Sequence, residues 1–428
     1  MSGGRGIEER RTLLRRYHRA MRLFHAGLAI GCTLSLCVSA HSRQAVRDEG
    51  RPQVESKVAP SAPPPMEVVV NECVDAILRL QEPADGADAD QVPSQWPYVG
   101  VYKVKGKTPV PYRVGGTAIA VMALAQSPRF ASDQSVREAV GRGVDFLCEA
   151  WKDPQMSIAD YEGGYDTRVW GHIEGLACLA RLGRLKLIAD DRRDGAAIAV
   201  SRYLDGVVAL EMPRTGGWNY ARPDGRDAAG APAAFVTAAA LEALYEAKAA
   251  GLAVPDGLID RSLDVLERAK DSTGSVVYSG AARPAPTMAD GVPGAIGRMT
   301  ASETMLLRGG RGSTAAVRGA VDAFIVHWKW LDARRAKPGT HQRPYMVAPY
   351  YFMFAHRHAA MAVELLPASE RAEYRRRLNE LLLSVRSEDG SWNDRVFASS
   401  AGYGTSMALL ALLQPALDQP TREAPATK

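Results

Sequence analysis

This chain lacks most of the features that announce a function. Cysteine occurs only five times in 428 residues, with no Cys-x-x-Cys pair and no Cys/His zinc spacing, so no structural zinc module is expected. Patterns that read as β-strands are nearly absent, which argues against a sandwich or a β-barrel. Basic charge is also missing where a nucleic-acid binder would need it. The whole chain carries a formal +5, and residues 1–24, with seven Arg and two Glu, account for all of it. Residues 25–40 hold no ionisable Asp, Glu, Lys or Arg, so the remainder sums to zero and shows no basic stripe. No nucleic-acid partner is expected.

The N-terminus is what remains of the charge argument. An Arg-rich stretch, RRTLLRRYHRAMR, precedes the apolar run LFHAGLAIGCTLSLCVSA, which ends in Val38-Ser39-Ala40. That order predicts a signal peptide over residues 1–40, or a membrane anchor if it stays uncleaved, and hence a protein that is exported, periplasmic or secreted. Membrane contact is expected only through this segment. Residues 41–65 end in APSAPPP and predict an extended linker. After cleavage three cysteines remain, Cys73, Cys148 and Cys178, each in an apolar helical pattern, and they are expected to be buried free thiols.

What the body does have is a repeat. Aligning Thr117, His172, Thr237, Thr300, His358 and Thr405 superimposes six Ala- and Leu-rich segments, among them TAIAVMALA, TAAALEALY and TSMALLALL. Apolar residues four and seven positions further on fall on one helix stripe: Leu176 and Leu179, Leu241 and Leu244, Leu409 and Leu412. A more polar helix, charged on one face and aliphatic on the other, precedes each of the six. Outer amphipathic helices alternating with inner apolar ones predict an all-α (α/α)6 toroid of six helix-hairpin repeats over residues 66–413. Residues 414–428, polar and Pro-containing, are expected to be a flexible tail.

The loops from outer to inner helix carry Gly-aromatic turns: QWPYVG, GGYDTRVW, GGWNYARPDGRD and DGSWNDRVFASSAGYG. Together with the helices that follow, the strings DGSWND…YGTSMALLALL and TGGWNY…VTAAALEALYEA resemble the Gly-x-Trp repeats of squalene-hopene cyclases and of protein prenyltransferase β-subunits. The resemblance implies the α/α toroid of that terpenoid-cyclase superfamily and gives Trp218 and Trp392 a structural role. It does not extend to the superfamily's chemistry. The Asp-x-Asp-Asp acid of the cyclases is absent, the nearest string being Asp88-Ala89-Asp90-Gln91 in a polar loop. So is the Asp-x-Cys zinc pair of the prenyltransferases. Asp190-Asp191-Arg192-Arg193-Asp194 matches a magnesium-binding spacing, but it lies at the wrong barrel end and reads as an acidic helix start. No metal and no cofactor are expected.

The densest polar cluster is EGGYDTRVWGHIEG, at the start of the second inner helix. It supplies the catalytic candidates Tyr165, Asp166, Arg168, His172 and Glu174, with Glu162 beside them, at a helix N-terminus facing a barrel mouth. A capping network is the competing reading. Candidate ligand-binding residues are Trp170, Arg298, Glu303, Tyr350, His356, His358 and Tyr403. Residues two before each anchor (Trp170, Phe235, Arg298, His356, Tyr403) form a collar around the lumen if they point inward, and pack between helices if they do not. His172 and His358 replace Thr in repeats that lie opposite each other in a ring of six, so they are expected on opposite walls.

Three functions remain open. One is a protein that binds a small-molecule, lipid or glycan ligand, hydrophobic or sugar-like, at the lumen mouth. A second is a carbohydrate-active lyase or hydrolase on the toroid. The third is a divergent terpenoid cyclase whose acid would be Asp166 or Glu174. A lumen carboxylate with a raised pKa favours an enzyme, and a lumen filled by side chains favours a scaffold.

Overall fold

The computed structural model describes residues 64–83, 94–100, 102–159, 164–283, 287–335, 341, 343–347, 351–394 and 398–421. The export segment, most of the linker, Asp88–Gln91, Glu162 and Tyr350 lie outside the described residues. Among the described residues, twelve long helices alternate between two rings. The outer ones are α1 (Met66–Arg79), α3 (Gln134–Ala150), α5 (Arg193–Ala209), α7 (Leu258–Ala269), α9 (Thr314–Arg335) and α11 (Ala368–Leu383). The inner ones are α2 (Val110–Ala125), α4 (Arg168–Arg184), α6 (Ala234–Ala249), α8 (Val292–Arg308), α10 (Tyr351–Glu364) and α12 (Ala401–Leu413). Each inner helix packs on the next, from α2 through α12, and α12 packs back on α2. That closed sequence of contacts makes the chain an all-α (α/α)6 toroid.

Burial follows the reading of the sequence. Leu176, Leu179, Leu241, Leu244, Leu409 and Leu412 are all buried. Each such side chain contributes roughly 1.5–3 kcal/mol when fully removed from water. Outer helix α7 buries Leu258, Ile259, Leu263, Val265 and Leu266 and turns Asp260, Asp264 and Glu267 to the surface, as an amphipathic helix covering a core must.

Three repeats are locked by one device. The backbone N–H of Trp96, Trp218 and Trp392 donates to the hydroxyl of Thr117, Thr237 and Thr405 at 3.0, 3.2 and 3.1 Å. The indole N–H of each Trp donates to a carbonyl in the last turn of the preceding outer helix: Ile77, Val207 and Leu382, at 2.7, 2.8 and 2.9 Å. One residue therefore ties the end of the outer helix through its ring while its backbone fixes the start of the inner helix. Gly116 and Gly404, one residue before the Thr, have no side chain because a Cβ there would collide with the carbonyl oxygens of Trp96 and Trp392.

The only strands among the described residues are β1 (Gly164–Tyr165) and β2 (Ala221–Arg222), which pair antiparallel and tie two mouth loops together. Cys73, Cys148 and Cys178 are unpaired; Cys73 and Cys178 are buried and Cys148 is half-buried. No described helix is long and apolar enough to cross a membrane. The tail differs from expectation between residues 414 and 421. There it docks on the C-terminal ends of the inner helices through Asp418, Gln419 and Pro420.

Candidate active site in the lumen

The N-terminal ends of the inner helices and the Gly-aromatic loops form one mouth of the toroid, and aromatic rings line it. Tyr98, Tyr112, Trp170 and Tyr403 form one cluster with ring centroids 4.8–6.2 Å apart. A second arc begins at Tyr102 and passes to Tyr165, which the β1–β2 pair holds stacked on Tyr220 at 5.9 Å. It continues through Phe235 to Tyr278 and Phe354. Tyr220 and Tyr278 also share a short hydroxyl–hydroxyl bond. Burial raises the Tyr112 phenol, and the phenols of Tyr220, Tyr102 and Tyr165 lie close enough to raise it further.

Beneath the rings lie charges. Arg357 of α10 donates from Nη1 to Glu242 Oε2 of α6 at 2.8 Å, and from Nη2 to Oε1. These two helices are not neighbours in the ring, so the pair spans the lumen. The Arg357 guanidinium holds the Glu242 carboxyl down at about 2, against the burial that opposes it. Glu174 of α4 faces the same place and differs sharply. Among the described residues no hydrogen bond or ion pair reaches its carboxyl, and the residue keeps 7% exposure. Burial pushes its pKa up to about 8, with Arg357 lowering and Glu242 adding to it. Two carboxyls in one lumen are thus set apart, one ionised and one holding its proton at neutral pH.

The other catalytic candidates have structural partners. Asp166 is buried and accepts from the Arg168 backbone N–H (3.1 Å) and from its Nε and Nη2 (2.8 and 2.9 Å), capping α4. Arg168 also holds the carbonyls of Ser157 and Ala159. Tyr165 is 60% exposed at the rim. His172 turns away from the lumen: its Nε2–H donates to the Met156 carbonyl at 3.0 Å, its ring meets Tyr203, and Gly206 leaves the space it fills. Burial brings it down to about 4, so it is neutral.

Among the ligand-binding candidates, Trp170 and Tyr403 belong to the collar. Arg298 lies in the wall, where it clamps the carbonyls of Val276, Gly294 and Ala289 and sets its guanidinium 5.9 Å from the Tyr278 ring. Glu303 pairs with Lys270 at 2.8 Å beside α7. His356 also faces outward, accepting from the Trp328 indole N–H at 2.9 Å. His358 is the one that faces the lumen, its Nε2 3.8 Å from Glu242 and its ring 4.0 Å from Phe354. Burial, and then Arg357, lowers it to about 4.

The alignment of the fifth repeat is therefore two residues off. His356, not His358, is the counterpart of the wall-facing anchors, and the two anchor histidines do not form a matched pair across the mouth. The fourth repeat departs as well, since Thr300 bonds only carbonyls of its own helix. The sequence reading missed Glu242, Arg357, Tyr98, Tyr112, Tyr220 and Tyr278. Glu242 had a usable signal: offsets of −2, +2, +5 and +9 from an anchor give Trp170, Glu174, Ala177 and Arg181 on α4, and Phe235, Ala239, Glu242 and Glu246 on α6. A charge on the lumen side of an all-apolar helix has to be explained.

No family model matches the chain, and no curated protein matches it. Solved structures do. An α-1,6-mannanase, GH76A of Salegentibacter sp., is similar at 12% identity over 82% of this chain and 100% of that one, with a TM-score of 0.49. A protein from Actinoplanes is similar at 17% identity, 82% and 100% coverage and a TM-score of 0.43. The type II terpene cyclase MstE from Scytonema is similar at 15% identity, 82% and 98% coverage and a TM-score of 0.45.

Proposed function

We propose that this chain is an exported, carbohydrate-active toroid in which Glu174 is the general acid. The observation that carries the reading is the unpartnered Glu174 carboxyl, raised to about 8 beneath an aromatic mouth. A buried acid that keeps its proton near neutral pH suits protonation of a leaving oxygen. The collar supports a sugar as the substrate. Tyr102, Tyr112, Tyr165, Tyr220 and Tyr278 present ring faces for the C–H face of a pyranose and hydroxyls for its polar edge. In hydrolysis the Glu174 proton passes to the glycosidic oxygen as its bond to the anomeric carbon breaks. Water adds to that carbon, and its surplus proton restores Glu174. The Glu242 carboxylate, kept ionised by Arg357, stabilises the positive charge that develops on the sugar.

A neutral acid under aromatic faces also suits protonation of an alkene, as in a terpenoid cyclase. The Glu242–Arg357 pair favours the sugar, because it gives a polyprene no apolar floor. The deciding experiment incubates the body, in separate reactions, with a panel of neutral polysaccharides and with linear polyprenes. The expected result is new reducing ends from a polysaccharide, lost in Glu174→Gln while glycan binding persists. Cyclic products from a polyprene would give the chemistry to the second reading. Undiminished activity in Glu174→Gln would remove the acid altogether. Export is checked by N-terminal sequencing from the native host: a start near His41 is expected, and an intact Met1 on a soluble cytoplasmic protein contradicts it.

A further inference from the structure

The opposite end of the toroid carries a second set of charges that this chemistry leaves unused. α4 ends on Arg181 and Arg184, α6 brings Glu246, and α8 ends on Arg308. Arg181 Nε lies 3.2 Å from Glu246 Oε1, and Arg184 Nη2 lies 3.0 Å from Oε2. Three guanidinium groups thus gather where one inner-helix carboxylate serves two of them. The chain's own tail supplies the other acceptors. Asp418 Oδ2 accepts from Arg184 Nη1 at 2.8 Å, the Asp418 main-chain carbonyl accepts from Arg181, and the Pro420 carbonyl accepts from Arg308 Nε at 2.7 Å. Gln419 fastens the tail to the Met361 carbonyl of α10 at 3.0 Å.

Cations at helix C-termini complement the dipole, and that accounts for Arg181 and Arg184. Arg308 also ends its helix, but the dipole does not explain why its guanidinium is buried. This residue is 4% exposed, lies 5.1 Å from the Tyr245 ring and makes no ion pair among the described residues. Its Nη2 has no hydrogen-bond partner, and its Nη1 meets only the Met305 sulfur at 3.7 Å. A buried guanidinium with no carboxylate in contact, and only Glu242 and Glu246 at longer range, is an expensive arrangement, and the tail crosses beside it at Pro420.

We propose that Arg181, Arg184 and Arg308 form a phosphate-binding site, and that residues 418–420 occupy it in this structure as a stand-in for the ligand. The single Asp418 carboxylate reaches only Arg184, and two neutral carbonyls serve the other arginines. A tetrahedral oxyanion has enough oxygens to engage all three forks, including Arg308 Nη2. Its arrival displaces the tail.

The test is a titration of inorganic phosphate into the full chain by calorimetry, against sodium chloride at matched ionic strength. Amide hydrogen exchange is followed at Leu417, Asp418, Gln419 and Thr421. Phosphate is expected to bind and to speed exchange in the tail. Asp418→Asn, which removes the competing carboxylate, tightens binding by about tenfold, and Arg308→Gln weakens it by about tenfold or more. A parallel titration with methyl phosphate assigns the source: tighter binding than inorganic phosphate marks an ester ligand, weaker binding marks the free anion. Binding that is absent, or indifferent to Arg308→Gln, or that leaves tail exchange unchanged overturns the proposal. If Arg308→Gln does not fold, half-buried Arg184→Gln takes its place, and unchanged phosphate affinity there is equally fatal.

Discussion

The two ends of the toroid are held by different physics. At the N-terminal mouth the repeated fastenings are neutral: a Trp backbone N–H on a Thr hydroxyl, an indole N–H on a helix-end carbonyl, and ring against ring, with the Arg168–Asp166 pair at the start of α4 as an ionic exception. At the C-terminal end they are ionic, with Arg181, Arg184 and Arg308 laced to Glu246 and to the tail. The neutral bonds draw on buried geometry and contribute without fixing a field, so the mouth stays free to meet a neutral ligand. The ionic end needs every acceptor it can find, and the chain folds its own tail over it to supply them. Glu174 and the Glu242–Arg357 pair mark the boundary between these regimes.

The largest expected effect tests the neutral fastenings. Trp392→Ala removes a fully buried ring and its indole bond to the Leu382 carbonyl, and it should cost ~3–5 kcal/mol in urea denaturation. Normal stability together with lost ligand binding would instead make Trp392 a ligand contact, and the clasp idea would fail.

A smaller effect probes the boundary. The folded protein holds a proton on Glu174 up to about pH 8, against an ordinary value of 4.5. Between those values the unfolded chain has released that proton and the native state has not. Stability therefore falls as pH rises through this window, by roughly a few kcal/mol from this group. Glu174→Gln should flatten that fall and be no less stable than the parent at pH 8. A slope unchanged by the substitution would mean that the carboxyl is solvated after all.

The smallest effect lies at the rim. Tyr165→Ala should shift stability by no more than about 0.5 kcal/mol, because the residue is mostly exposed. It should nonetheless weaken glycan binding, read as a raised KM with kcat unchanged. A fall in kcat instead would draw Tyr165 into the chemistry.

Much of this architecture is legible from local pattern. Thr117, Thr237 and Thr405, with Leu residues four and seven positions on for the last two, mark inner helices because helix periodicity is a property of neighbours in sequence. Trp218 and Trp392 announce their role for the same reason, each sitting in a Gly-containing turn before its Thr. The site was less legible. Glu174 stood out within a dense polar segment, but so did Asp166 and Arg168, which turn out to cap a helix. Where two repeats change register, at Thr300 and His358, an alignment by similarity placed residues on the wrong face.

By itself, then, the sequence determined that this chain forms alternating outer and inner helices, since that depends on which residues recur three, four and seven apart. It also marked the neutral turns that join them. Only the tertiary structure decided which charges meet. Glu242 and Arg357 are 115 residues apart, on helices that touch only by facing each other across the lumen. Asp418 finds Arg184 across 234 residues, in a tail whose composition reads as free. Ring closure brings such groups together and strips them of water, and their protonation and pairing follow from that burial.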